Sequence, residues 1–238
     1  MLNVVPQRHD LLFITSTGRR YAWENRVSSH EWDDGLWRSF SEVPAICRSQ
    51  TNSADSEWID VGFSFPVRFN GVRRRIAARI PLCEIERRVS AEEAAKCGLE
   101  GPAGRLTRCL LECAQSRRIP FGIFGAAALQ AVTGLPYLHE TSDLDVVLYP
   151  ASFRGLREFD GDMQRLENQF GIRTDAELSI DGEWYLKLRE LLSSQNTILA
   201  KKRSGDPELL SCRAVWKSLG CGCHRNTTTF KRSLYDGN

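Results

Sequence analysis

A chain of 238 residues, 42% apolar and 26% charged, is long enough for one large domain or two small ones with a real core. A net charge of only +2 gives no bulk electrostatic case for nucleic acid, and no apolar run approaches the ~18 residues that would span a bilayer. An early Arg8–Asp10 charge pair in place of a signal-peptide pattern predicts a cytoplasmic protein, and the cysteines at predicted core positions (Cys47, Cys83, Cys97, Cys109, Cys113) read as reduced thiols rather than a disulfide framework.

Residues 1–88 read as a β-rich domain suited to recognising a substrate or partner. Leu11–Ile14 is a short apolar strand ended by Thr15–Gly18. Pro44–Arg48, Ile59–Phe63 and Val67–Phe69 are further strands, with a polar loop over Ser49–Ser56. Asn70-Gly71 predicts a tight hairpin into Val72–Ile76, and Arg73, Arg74, Arg75 and Arg79 concentrate positive charge there. Residues 89–104 form a connector. Ser90 and Glu93 have capping-box spacing, and the helix they open is short because Gly98 and Gly101-Pro102 follow.

The second domain covers residues 105–238, with a loose tail from about residue 220. A helix over Ala103–Arg118, apolar at Leu106, Cys109, Leu110 and Cys113, leads into it and ends at Ile119-Pro120. A short apolar run, Phe121–Phe124, then precedes a helix that starts at Gly125 and is rich in alanine. After it, Asp143 and Asp145 open a Val/Leu strand. Two residues apart on a strand, these carboxylates point the same way, about 7 Å apart. Neighbouring acids repel unless a cation lies between them, which points to a divalent metal and to phosphate chemistry or hydrolysis.

A helix beginning at Pro150 and Ser152 carries Leu156, Phe159, Met163, Leu166 and Phe170 on one face and stops at Gly171. Ile172–Leu188 reads as a hairpin around Asp181-Gly182. A two-residue loop sets Asp175 opposite Leu188. A three-residue loop of 180–182 sets Asp175 opposite Lys187 and Glu177 opposite Tyr185, and separates a polar from an apolar face, so it is preferred. Thr197–Ala200 is a last strand and Glu208–Leu219 a short helix.

Helix, Asp-x-Asp strand, helix and acidic hairpin make a minimal α/β (α+β) palm of nucleotidyltransferase type. In such a palm two carboxylates on one strand and a third from its neighbour hold Mg²⁺ or Mn²⁺ against a triphosphate. The amides at Gly125 and Ala126 offer a helix N-terminus to phosphate oxygens. Six segments (Phe124-Gly125, Leu129-Gln130-Ala131-Val132, Thr133-Gly134-Leu135-Pro136-Tyr137-Leu138, Ser142-Asp143-Leu144-Asp145, His9-Asp10-Leu11-Leu12, Asp175-Ala176-Glu177) resemble one family over roughly residues 5–200. It is the phosphoribosyl-dephospho-CoA transferase family, also called malonate decarboxylase holo-acyl-carrier-protein synthase.

The resemblance implies that 2′-(5″-triphosphoribosyl)-3′-dephospho-CoA donates its prosthetic group to a serine of the apo acyl carrier subunit of malonate decarboxylase, releasing pyrophosphate. It implies Asp143, Asp145 and Asp175 as metal ligands, with Glu177 the rival of Asp175. Lys187 and Arg189 would neutralise triphosphate charge, Ser142 belongs to the same nucleotide-binding motif, and the Arg73–Arg75 turn, centred on Arg74, would grip the dephospho-CoA end or the acidic carrier. Two departures stand out: Ala126 replaces the usual Ser, and Cys221, Cys223 and His224 in the tail match nothing in the family. The rival readings are another nucleotidyltransferase, acting on a small molecule or RNA, and a degenerate domain that only binds.

Overall fold

The computed structural model describes residues 5–27, 33–50, 57–194 and 196–220. The Cys221, Cys223 and His224 tail and most of the Ser49–Ser56 loop lie outside the described residues.

Strand β1 (Leu11–Ile14) runs directly into helix α1 (Ser16–Glu24), because Thr15 stays extended and its hydroxyl accepts from Gly18 N at 2.8 Å. Thr15–Gly18 is therefore a helix start as well as a strand end. The sequence hid α1 because only Gly18 and Ala22 of it are buried, too few for an apolar period to show. Helix α2 (Asp33–Ser39), about two turns long, shows no period either, with Leu36 and Trp37 its only apolar side chains.

Strands β2 (Ala45–Cys47), β3 (Trp58–Phe69) and β4 (Val72–Pro81) follow, then a 3₁₀ turn (Leu82–Glu84) and β5 (Ile85–Val89). They form an antiparallel sheet in the order β4-β3-β2-β1-β5. The two runs expected over 59–69 are one continuous strand. Asn70 (φ 50°) and Gly71 (φ 79°) are both left-handed and join Phe69 to its partner Val72, as the Asn-Gly pair predicted.

Helix α3 (Ala91–Ala94) has the expected capping box: Ser90 Oγ accepts from Glu93 N, and Glu93 accepts from Ser90 N at 2.7 Å. Helix α4 (Gly101–Ser116) buries Leu106, Leu110 and Ala114. Then come β6 (Phe121–Ile123), α5 (Gly125–Thr133), β7 (Leu144–Leu148), α6 (Leu156–Phe170), β8 (Thr174–Ile180) and β9 (Trp184–Lys187). The chain ends its described part with α7 (Leu188–Ser193), β10 (Thr197–Lys202), β11 (Glu208–Ser211) and α8 (Cys212–Gly220). The second sheet has the order β11-β10-β9-β8-β7-β6, and its one parallel pair, β7–β8, is joined by the α6 crossover. The mixed α/β class is as read, with two sheets and eight helices among the described residues.

Several boundaries move; helix α4 shifts to Gly101–Ser116, β4 runs on to Pro81 and β10 to Lys202. Helix α6 starts at Leu156 rather than at Pro150, after a left-handed Gly155. Glu208–Leu219 divides into a strand and a helix. The β8–β9 hairpin turns through left-handed Asp181 and Gly182, Glu183 adds an extra residue, and pairing resumes at Ile180 opposite Trp184. Glu177 therefore faces Lys187, a register shifted by two residues from the preferred reading. A shift of two leaves the faces unchanged, so Ala176, Leu178, Trp184 and Leu186 still share one apolar face, but Glu177, Ser179 and Tyr185 on the other face are buried as well.

The two cores meet at β1. Leu11 packs with the second-sheet cluster that includes Val146, Leu178 and Phe159, while its neighbour Leu12 packs with Val61, Phe63 and Ile76 of the first. All six described cysteines are free; of the five expected in the core only Cys47 is buried, Cys83 is exposed, and Cys97, Cys109 and Cys113 are half-buried. Among the described residues no helix is long and apolar enough to cross a membrane.

Candidate active site

The site begins at the β6–α5 turn. Phe124 is extended and donates its N–H to Asp145 O at 3.1 Å, which fixes the turn against β7. Gly125 then takes φ 63° and opens α5. A Cβ there would overlap Oδ2 of Asp145, so glycine is required both by the backbone angle and by the carboxylate beside it. Ala126 follows, half-buried in the first turn of α5.

Asp145 is half-buried and its carboxylate has no hydrogen-bond or ion-pair partner among the described residues. Burial first, then the charges of Asp175, Glu177 and Asp143, push its pKa up to about 6, against a smaller opposing pull from Lys187. Asp175 is its direct Cα partner across the parallel β7–β8 pair, so the two side chains leave the sheet on the same face. Asp145 therefore stands among other acids without a cation of its own, while Asp143 is paired with Arg173 and Asp175 with Lys187. Asp143 sits one residue before β7 and is exposed, with both its oxygens 3.2 Å from Arg173.

Lys187 Nζ lies 2.5 Å from Asp175 Oδ2 and 3.4 Å from Glu177 Oε1. Burial works against its charge, but the two carboxylates outweigh burial and raise its pKa. The expectation for Lys187 as a cation beside the acids thus survives in position, through a different register.

Glu177, offered as the rival third carboxylate, does not face this cluster as a free ligand. It is 2% exposed and is held by His9 Nε2 at 2.9 Å, Lys201 at 3.3 Å and Arg8 at 3.7 Å. Burial opposes its charge, yet His9, Arg8 and Lys201 together keep its carboxyl well below the usual carboxylate range. A carboxylate so saturated by cations is an anchor, whereas Asp175 is more exposed and has one cation, Lys187, against it.

Three other expected site residues also have different surroundings. Arg189 is not on a strand with Lys187: helix α7 starts at Leu188 and turns it to Asp160 (3.0 Å) and Glu167 (2.8 Å) on α6. Ser142 closes its own loop, its Oγ accepting from His139 N at 3.1 Å. Strand alternation puts Arg74 on the opposite face of β4 from Arg73, whose guanidinium donates to Tyr137 O.

Two positions were undervalued in the sequence. His9 has φ 78°, lies 6% exposed and stacks on Phe124, with ring centroids 3.8 Å apart. It thus supports the turn that presents Gly125 while binding Glu177. Burial foremost lowers its pKa. Arg73 reaches the loop after α5 from the first sheet. The only sequence signals were the His9-Asp10-Leu11-Leu12 segment and the arginine run, neither of which says what it touches.

Among the described residues no three His, Cys, Asp or Glu side chains enclose a common point. A Mg²⁺ site in a phosphoryl-transfer enzyme needs no such cage, since one or two carboxylates and the substrate phosphates complete it. The unpartnered Asp145 with Asp175 beside it fits that kind of site.

Known proteins resemble this chain along nearly all of its described length. The model of the phosphoribosyl-dephospho-CoA transferase MdcG N-terminal domain matches residues 7–91, and that of the C-terminal domain matches 90–211. A phosphoribosyl-dephospho-CoA transferase of Azotobacter vinelandii is 31% identical over 209 residues, 85% of this chain and 92% of that protein. One of Bradyrhizobium diazoefficiens is 26% identical over 202 residues, covering 82% and 86% respectively. One of Xanthomonas euvesicatoria is 33% identical over 111 residues, 47% of this chain and about half (52%) of that protein. No solved structure matches. Both family domains, in order and meeting where β5 leads into α3, place this chain in the phosphoribosyl-dephospho-CoA transferase family of enzymes.

Proposed function

We propose that the chain transfers the 5-phosphoribosyl-dephospho-CoA group from 2′-(5″-triphosphoribosyl)-3′-dephospho-CoA to a serine of the acyl carrier protein of malonate decarboxylase, in the cytoplasm. The serine hydroxyl attacks the α-phosphorus, its proton leaves to solvent or a carboxylate, and pyrophosphate departs. The observation that carries this reading is Asp145: half-buried, unpartnered, in register with Asp175 and pressed against the Gly125 turn.

Asp145 and Asp175 would hold Mg²⁺, with Asp143 reaching it once released from Arg173. Bound there, the cation polarises phosphoryl oxygens and lowers the pKa of the attacking hydroxyl. The first amides of α5, at Gly125 and Ala126, supply a positive helix end for the triphosphate. Ala126 leaves that work to backbone N–H groups alone. Lys187 supplies a cation at the acids, and His9 holds Phe124 so that the Gly125 turn does not reorganise during transfer.

Incubating the purified chain with Mg²⁺, donor and apo carrier should add one prosthetic group to the carrier, seen by intact mass, with one pyrophosphate released per adduct. An unmodified carrier would overturn the reading, as would modification that persists when the acceptor serine is replaced.

A further inference from the structure

Arg68 and Arg73 are direct Cα partners across the β3–β4 hairpin. Like charges directly opposite repel. Neither guanidinium has a carboxylate partner among the described residues. Arg68 donates to Gly71 O at 2.8 Å and to His139 Nε2, while Arg73 donates to Tyr137 O and lies 5.4 Å from the centroid of the Tyr137 ring. Arg73 Nε is a buried donor with no acceptor. Between the hairpin and the loop after α5 is a cavity of about 400 Å³, lined by these groups and by Pro66 and Leu138.

The walls are tied from both sides. Tyr137 Oη donates to Ser64 O at 2.9 Å, and Leu138 N donates to Gln130 Oε1 at 2.8 Å. Burial, Arg68 and Arg75 disfavour the Arg73 charge, and Asp145 is close enough to favour it. Two facing guanidiniums without a carboxylate partner, in a cavity with one apolar side, describe a site short of an anion. Paired guanidiniums suit the adjacent oxygens of a polyphosphate better than a single carboxylate.

We propose that this cavity is a diphosphate subsite, with Arg68 and Arg73 as its ligands and Pro66 and Leu138 facing the organic group the diphosphate carries. It rests on the proposed donor, which contains two such groups: the terminal part of the triphosphate and the diphosphate of the dephospho-CoA moiety.

Calorimetric titration of the full chain with inorganic pyrophosphate and, separately, with dephospho-CoA tests it. EDTA is present, so that binding does not depend on a metal. At least one probe should bind. Arg73→Met and Arg68→Gln, each checked for a native melting transition, should each weaken it about tenfold or more. Tighter binding of pyrophosphate assigns the triphosphate end, and tighter binding of dephospho-CoA assigns the other. No binding of either probe overturns the subsite. So does wild-type binding by both variants, including the case where they lose affinity only for the carrier protein. Asp145→Asn should still bind at least one probe while failing in transfer. Transfer by wild type with no probe bound at the cavity sinks the subsite alone. Probe binding without transfer sinks the proposed reaction alone.

Discussion

At the scale of single residues, Asp145 and Gly125 decide the site together. In the fold Asp145 holds its proton more tightly than in the unfolded chain, its pKa being pushed from 3.8 up to about 6. Its ionisation therefore removes stability as pH rises through that window. Asp145→Asn should stabilise the metal-free protein by roughly 2 kcal/mol at pH 7.5. In urea unfolding with EDTA, that gain should shrink as pH falls and vanish below the unfolded value of 3.8. The same variant should lose transfer by at least about a hundredfold, as expected when a charge that stabilises the transition state is removed. Gly125→Ala meets both a left-handed backbone and the Asp145 carboxylate. It should cost at least about 2 kcal/mol in the same unfolding assay.

At the scale of elements, the hairpin β8–β9 shows how a register two residues away from expectation changes roles without changing faces. Alternation along Ala176, Leu178, Leu186 and Trp184 was enough to group the apolar side chains on one face, though Glu177, Ser179 and Tyr185 on the other face are buried too. It was not enough to place Lys187, because registers two residues apart satisfy the same alternation, and a three-residue loop placed at 181–183 instead of 180–182 selects between them. The same register puts Glu177 among His9, Arg8, Lys187 and Lys201. Glu177→Gln leaves those cations facing an uncharged amide in a buried setting. It should destabilise by roughly 3 kcal/mol in denaturant unfolding, the loss expected when one partner of a buried ion pair is removed. Because Glu177 is an anchor, transfer by whatever fraction stays folded should be affected far less than in Asp145→Asn. An equal loss in both would return Glu177 to the ligand set.

At the scale of the whole molecule, the two sheets are joined by strand β1, by His9 and by the loop after α5. Leu11 and Leu12 bury into different cores, His9 spans from the first segment to Phe124 and Glu177, and Tyr137 Oη reaches Ser64 O. The 1% exposed Tyr137 ring carries this last link through a single hydroxyl. Tyr137→Phe should lower stability by about 1 kcal/mol, the usual net value of one buried hydrogen bond and its orphaned acceptor. Faster amide hydrogen exchange should then appear at the tip of the β3–β4 hairpin and in the 134–139 loop, and not in β7 or β8.

The sequence by itself determined the mixed α/β class, the Asn70-Gly71 turn, the Ser90 capping box, the α5–β7 unit with its Gly125 and Asp145, and the family. All of these depend on residues close in the chain, whose spacing dictates local geometry or makes a recognisable string. Only the tertiary structure decided which acid is free and which is anchored, that Arg189 turns to α6, and that Arg73 reaches the loop after α5. Those outcomes depend on partners far apart in the chain: Glu177 on His9 and Lys201, Arg189 on Asp160, Arg73 on Tyr137. No local pattern encodes which distant cation will reach a given carboxylate, because that choice is made by strand register and by the packing of one sheet against the other.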